Sequence, residues 1–209
     1  MPSYWDTQHN RYAATDWIHQ PSLFAEWCLQ FFPPHESLLD LGGGQGQDAI
    51  FFAEKGYQVT LVDYTESALE KAKQKMDHTS GTVLVQHHDI SQRLPFLDNS
   101  FDIVYAHLSL HYFDAEKTYS VFNEIYRILK PGGVLAFLVN SQSDPEFRTG
   151  IPIEPGFREV DTVQKRFFDI QMALQFTHQF QTIIVDAQGE TYKDRAIGNH
   201  NLIRYVGKK

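Results

Sequence analysis

An α/β fold with a parallel sheet covered on both faces is predicted by three features of the sequence. Short apolar, β-branched runs alternate with amphipathic segments along most of the chain. A glycine cluster follows the first of these runs and precedes a helix-like segment. Proline and glycine stand where segments should end, at Pro33-Pro34, Gly56 and Pro131-Gly132-Gly133. Strands separated by helices in this rhythm are joined by crossovers, so neighbouring strands run parallel and helices cover both faces.

In order, Leu23, Phe24, Trp27 and Phe31 fall on one helical face that Pro33-Pro34 ends. Residues 37–41 (SLLDL) are a short strand, and 47–56 (QDAIFFAEKG) a helix closed by Gly56. Residues 57–63 are a buried strand. Thr65 is placed to cap the next helix, on which Ala68, Leu69, Ala72 and Met76 share a face. Strands follow at 82–89 and 101–110, then a helix at 115–130 with Phe122, Ile125 and Leu129 on one side, and a fifth strand at 134–140. Residues 141–163, rich in Pro, Gly and charge, read as a long loop on the substrate side. A helix over 167–176 and an antiparallel pair at 182–187 and 201–206, joined by a turn-rich stretch, close the chain.

Composition narrows the partners. The 209 residues are 42% hydrophobic and 21% charged, with a net charge of −8 and one cysteine, Cys28, which has no internal disulfide partner. The acidity is uneven, with 9 basic against 17 acidic residues in 1–143 and 9 against 9 in 144–209. A chain without a basic stripe gains little from counterion release, so nucleic acid and anionic membranes are not expected partners. No apolar run is long enough to span a bilayer, and the N-terminus has neither a basic start nor an apolar stretch. The expected compartment is the cytoplasm, and the expected state a monomer or homodimer.

The chemistry centres on LLDLGGGQGQD (38–48). Gly42, Gly44 and Gly46 let the chain turn sharply and a ligand touch its backbone. The last glycine of a dinucleotide fingerprint would fall at Gln47, and Asp40 would repel a pyrophosphate. A nicotinamide-dependent reductase is therefore disfavoured. Asp40 would attract an ammonium group, or else satisfy loop amides. Asp63 ends the second strand and can accept from both ribose hydroxyls, or cap the next helix. Asp89 ends the third, as an acceptor for an adenine amine or as a turn residue, with Ile90 placed to pack on the ring. Ligands of parallel sheets bind at these strand ends.

Together with LPFLDNSFDIVYAHLSLHYF (94–113) and RILKPGGVLAF (127–137), these motifs make residues 35–140 resemble the Rossmann-like class of S-adenosylmethionine-dependent methyltransferases. The resemblance implies a three-layer sandwich on a seven-stranded, mostly parallel sheet whose last strand is antiparallel and inserted beside the sixth. It implies that Gly42, Gly43 and Gly44 line the methionine moiety, with Gly43 a departure from the small polar or cysteine residues common there. Asp40 would orient the ammonium, Asp63 hold the ribose, Tyr64 lie against the adenine, Asp89 and Ile90 hold the adenine, and Ala106 and His107 line the methionine side. The two ends of the chain are similar to small enzymes related to the tellurite-resistance and thiopurine methyltransferases. That likeness implies that residues 1–34 form a lid segment, with Tyr4, Trp5, Arg11 and Tyr12 as candidates and Tyr12 reaching the cofactor; aromatics that merely anchor to the surface are the other reading. The expected organisation is one domain over 1–209, with the core at 35–140 and a closing helix and strands at 164–209.

The expected cofactor is S-adenosyl-L-methionine and the expected acceptor a small molecule. A base is needed only when the acceptor must lose a proton. The candidates are His107, His111 and Tyr112, beyond the fourth strand. No third ligand stands near His107 and His111, so no metal is expected, and His87 and His88 alternate across a strand and cannot share a site. Arg148 and Arg158 are placed to meet an anionic acceptor, and Phe147, Phe157, Trp5 and Tyr4 an apolar one. The alternative is a cofactor-binding sensor or assembly partner without turnover.

Overall fold

The computed structural model describes residues 4–12, 15–77, 81–191 and 200–209, with the backbone alone at 16 and 17. The strands are β1 (Ser37–Leu41), β2 (Gln58–Asp63), β3 (Val83–His87), β4 (Phe101–His107), β5 (Leu129–Val139), β6 (Ile151–Glu154), β7 (Phe157–Val160), β8 (Val163–Arg166), β9 (Gln181–Gly189) and β10 (Leu202–Lys208). The helices are α1 (Tyr4–Tyr12), α2 (Leu23–Cys28), α3 (Gln47–Glu54), α4 (Glu66–Met76), α5 (Ala115–Ile128), α6 (Pro145–Thr149) and α7 (Ile170–Phe176).

The main sheet has seven strands in the order β3-β2-β1-β4-β5-β10-β9. Strands β3, β2, β1, β4 and β5 pair in parallel, whereas β10 is antiparallel to both β5 and β9. The seven-stranded Rossmann-like sheet with an inserted antiparallel last strand is therefore present. Because side chains alternate across a strand, β1 and β4 feed two separate cores. Leu39, Leu41, Val104 and Ala106 pack with Phe122 and Ile125 of α5 and Phe176 of α7. Leu38, Ile103 and Tyr105 pack with Phe24 of α2, Phe52 of α3 and Leu69 of α4. Helices on both faces make the three layers.

Several elements differ from the sequence reading. Residues 141–163 are not a loop: they hold α6, β6, β7 and the start of β8, and β6-β7-β8 form a separate antiparallel sheet. Its second hairpin turns at Asp161 and Thr162, both at positive φ, 48° and 69°. That geometry is normally signalled by Asn-Gly or Asp-Gly, so an Asp-Thr turn is hard to see in a sequence. Helix α2 stops at Cys28; of the expected Leu23, Phe24, Trp27 and Phe31 face, Phe24 is buried together with Ala25 and Cys28, while Trp27 and Phe31 are partly buried against the same core. Thr65 occupies the N-cap of α4 without a side-chain cap bond; Asp63 Oδ1 takes the Thr65 amide instead, at 2.8 Å. Strand β3 ends at His87, two residues before Asp89, and β4 at His107, where Leu108 turns at φ 56°. The turn expected between the closing strands falls largely on 192–199, outside the described residues. Among the described residues, no helix is long and apolar enough to cross a membrane.

Candidate active site

The parallel strands deliver their carboxyl ends to one side of the sheet, and a cleft of about 1120 Å³ lies there. Asp40, Gly42, Gly43, Gly44, Asp63, Tyr64, Asp89, Ile90, His107, Tyr112 and Tyr12 all line it. Three carboxylates from the ends of successive strands thus face one space.

Asp40, on β1, is fully buried, and neither carboxylate oxygen makes a hydrogen bond. Burial, followed by the nearby charges of Asp48 and Asp63, holds its pKa well above the usual carboxylate range, and the nearby Ala49 amide, outside hydrogen-bonding geometry, only partly offsets this. An orphaned buried carboxylate is costly unless a cation or donor meets it. Asp63 Oδ2 accepts the Gly44 amide at 2.9 Å while Oδ1 holds the Thr65 amide, so one carboxylate ties the glycine loop to the start of α4. Asp89 is exposed and Oδ1 accepts the Ser91 amide at 2.8 Å; it is both a turn residue and a wall of the cleft. Tyr64 is 45% exposed, and burial of its hydroxyl together with the Asp63 charge pushes its pKa to about 12.

The glycine loop needs its composition. Gly44 has φ 55°, and a Cβ there would lie 2.9 Å from His9 Cε1 of α1. At Gly43 a Cβ would collide with Leu61 and the Asp40 carboxylate, so the bare residue suits this chain. Helix α1 lies across the loop, fastened by Gln45 Nε2 donating to His9 O (2.7 Å) and Ser67 Oγ to Asp6 (2.6 Å). His9 itself has a buried Nδ1 without a partner, and burial lowers its pKa against the pull of Asp63. Nothing in the sequence marked His9, a polar residue in a polar helix.

Of the residues expected to bind the cofactor or move protons, two do not line the cleft. Ala106 points into the core shared with α5. His111 is buried away from the cleft, and desolvation, then Lys165 and His107, lowers its pKa to about 3, so it stays neutral. His107 does line the cleft, its Nε2 buried and unbonded and its ring stacked on Phe24 at 6.4 Å. Burial lowers its pKa, and the Asp48 charge opposes that. Tyr112 packs edge-on against Trp5 at 4.9 Å, and burial raises its pKa well above 10. Of the acceptor-side candidates, Trp5 and Phe157 line the cleft, but Tyr4, Phe147, Arg148 and Arg158 do not, nor does the lid candidate Arg11. Arg158 instead donates to Gly150 O at 2.9 Å and lies 4.2 Å over Phe147. Ser109, Lys117 and Gln164 are lining residues the sequence reading missed. Ser109 hydrogen-bonds Leu41 O at 2.5 Å, so the turn after β4, and not Ala106, closes on β1. Among the described residues no cluster of His, Cys, Asp or Glu is arranged to hold a metal.

Residues 38–133 match the family model described as a methyltransferase domain. A Bacillus subtilis protein named as methyltransferase YqeM is 34% identical over 120 residues, 56% of this chain and 48% of that one. The tRNA 5-carboxymethoxyuridine methyltransferase of Escherichia coli is 32% identical over 108 residues, 51% of this chain and 41% of that one. The chain spans about half the length of the curated relatives it matches. Among solved structures, an S-adenosylmethionine-dependent methyltransferase from Methanosarcina mazei superposes with a TM-score of 0.75 at 21% identity, covering 88% of this chain and 96% of that one.

Proposed function

We propose that this chain is an S-adenosylmethionine-dependent methyltransferase that transfers the methyl group to a small molecule. The observation that carries the reading is the buried, unbonded Asp40 carboxylate in the same cleft as Asp63 and Asp89. The site fits the donor: an ammonium would satisfy Asp40, ribose hydroxyls the free capacity of Asp63, and an adenine amine Asp89. Gly42, Gly43 and Gly44 would admit the amino-acid end, and Tyr64 and Ile90 would flank the base. When bound, the cofactor supplies an activated methyl group on sulfur.

The chain's own contribution is positioning and the exclusion of water. Helix α1 covers the glycine loop, and Trp5 on Tyr112 closes the side of the cleft above α5. The fastening of α1 to Gln45 and Ser67 supports the role of this segment as a lid over a single domain, as in the tellurite-resistance and thiopurine-type subgroup proposed for it. Of the residues expected to move protons, His107 is the one suited to act as a base. It lines the cleft, its buried Nε2 has no hydrogen-bond partner, and its lowered pKa leaves the ring neutral at pH 7. Tyr112 remains a protonated phenol there and can donate but not accept a proton.

A lowered pKa places the loss of the base on the acid side. The fraction of neutral His107 is full at pH 7 and falls only as pH drops through a value below the ordinary 6.5. For an acceptor that must lose a proton, kcat/KM is expected to show an acid limb below pH 6.5. His107→Gln is expected to lower kcat by about 100-fold or more and to abolish that limb, with S-adenosylhomocysteine affinity changed little. An unchanged limb in the variant would remove His107 as the base.

Acceptor size follows from charge. The chain carries a net −8, and Lys117 is the sole lysine or arginine on the described wall of the cleft, which suits a small acceptor better than a polyanion. Transfer of isotopically labelled methyl groups into a cell extract should place label in the low-molecular-mass fraction. Label recovered on purified tRNA instead would overturn the small-molecule reading.

A further inference from the structure

The order β3-β2-β1-β4-β5 separates the cleft into two halves. Asp40, Asp63 and Asp89 follow β1, β2 and β3. The other half lies beyond β4, where the wall is built by Tyr112, Phe113 and Lys117 before and on α5, by Phe157 and Gln164 of the small sheet, and by Trp5. This second half is aromatic on several sides.

Its charges can be traced one by one. Lys165 pairs with Glu146 at 2.8 Å, and Arg166 is bound to Glu154 and donates to the Phe113 and Pro155 carbonyls. Arg158 is held by Gly150 O and Phe147. Among the acids, Asp114 Oδ1 caps α5 by accepting the Lys117 amide at 2.8 Å, and Glu154 takes the Ala115 amide at 2.7 Å besides Arg166. The Lys117 ammonium is left over: among the described residues it has neither a carboxylate partner nor a hydrogen-bond acceptor. Lys117 is a half-buried residue on a wall it shares with aromatic residues, and an unpaired cation there gains most from an anion that arrives with the ligand.

Resting on the methyltransferase reading of this cleft, we propose that its acceptor is an aromatic acid, whose ring packs among Trp5, Tyr112, Phe113 and Phe157 and whose carboxylate pairs with Lys117. Lys117 is a specificity-determining residue: it selects the charged acceptor and leaves the cofactor half of the cleft alone. A lysine suits this task because a single mobile ammonium can follow a carboxylate on rings of different shape.

The test uses the full chain saturated with S-adenosylhomocysteine, titrated calorimetrically with benzoate, salicylate and 1-naphthoate and with their uncharged methyl esters. The acids are expected to bind at least about 10-fold more tightly than the esters, a charge-assisted hydrogen bond's worth. Lys117→Met, which keeps the length of the side chain, is expected to remove that preference while S-adenosylhomocysteine affinity stays within about twofold. Acids that bind no better than esters, or a preference that survives in Lys117→Met, would overturn the proposal while the methyltransferase reading stands. Failure to bind S-adenosylhomocysteine in the first place would overturn both.

Discussion

Asp63→Ala is expected to weaken S-adenosylhomocysteine binding by roughly 3 kcal/mol, about two orders of magnitude. Two effects add. The carboxylate would lose the ribose hydroxyls, and hydrogen bonds to a charged group are worth about 1.5–3 kcal/mol. The same carboxylate also fixes the amides of Gly44 and Thr65, at 2.9 and 2.8 Å, so its removal loosens the glycine loop that the ligand must touch. Asp63→Asn retains one accepting oxygen and should lie between wild type and alanine. The check is calorimetry on variants whose circular dichroism matches wild type. An alanine variant with unchanged affinity would end the ribose role of Asp63.

Asp48→Ala is expected to be the most destabilising single change at the site, by about 3–5 kcal/mol. Asp48 stands in the first turn of α3, 3% exposed, and accepts from the Ser22 amide, the Ser22 hydroxyl and the Tyr105 hydroxyl, each at 2.7 Å. Ser22 in turn caps α2 by accepting the Ala25 amide at 3.0 Å. Truncation therefore leaves buried donors unsatisfied and frees the helix that backs His107. At about 2–4 °C per kcal/mol for a chain of this size, the melting temperature should fall by roughly 6–20 °C. Removing this charge also relieves part of the cause that holds the Asp40 pKa up, so Asp40 should titrate closer to an ordinary carboxylate. Scanning calorimetry reads the first effect, and a melting temperature within about 2 °C of wild type would refute the network's importance.

The main sheet was legible because its physics is local. Continuous apolar runs such as VLAFLV leave few alternatives to a buried parallel strand, and glycines at positive φ mark the loop that must turn under a ligand. That Asp40, Asp63 and Asp89 line one cleft was legible for the same reason: the first two lie on strands at or near their ends, and Asp89 follows two residues past the end of β3. The wall beyond β4 was not, because it is assembled from distant segments. Lys117 looks like any lysine on an amphipathic helix until its neighbours are seen to be engaged elsewhere. Arg158 looks available until Phe147 and Gly150 claim it. His111 and Tyr112 are adjacent in sequence, yet only the tyrosine reaches the cleft, because the chain has left β4 and is turning there. Likewise Ala106 faced the core by strand alternation, and the turn at Leu108 brought Ser109 to the wall in its place.

In the proposed function, acidic side chains at or just past the ends of three neighbouring strands share one adenosyl ligand. A crystal structure of the chain with S-adenosylhomocysteine tests it most directly. The expected result places the amino group against Asp40, the ribose hydroxyls on Asp63 and the adenine between Tyr64 and Ile90 with its amine toward Asp89. A ligand bound elsewhere, or one in this cleft with its ribose out of reach of Asp63, would contradict the account.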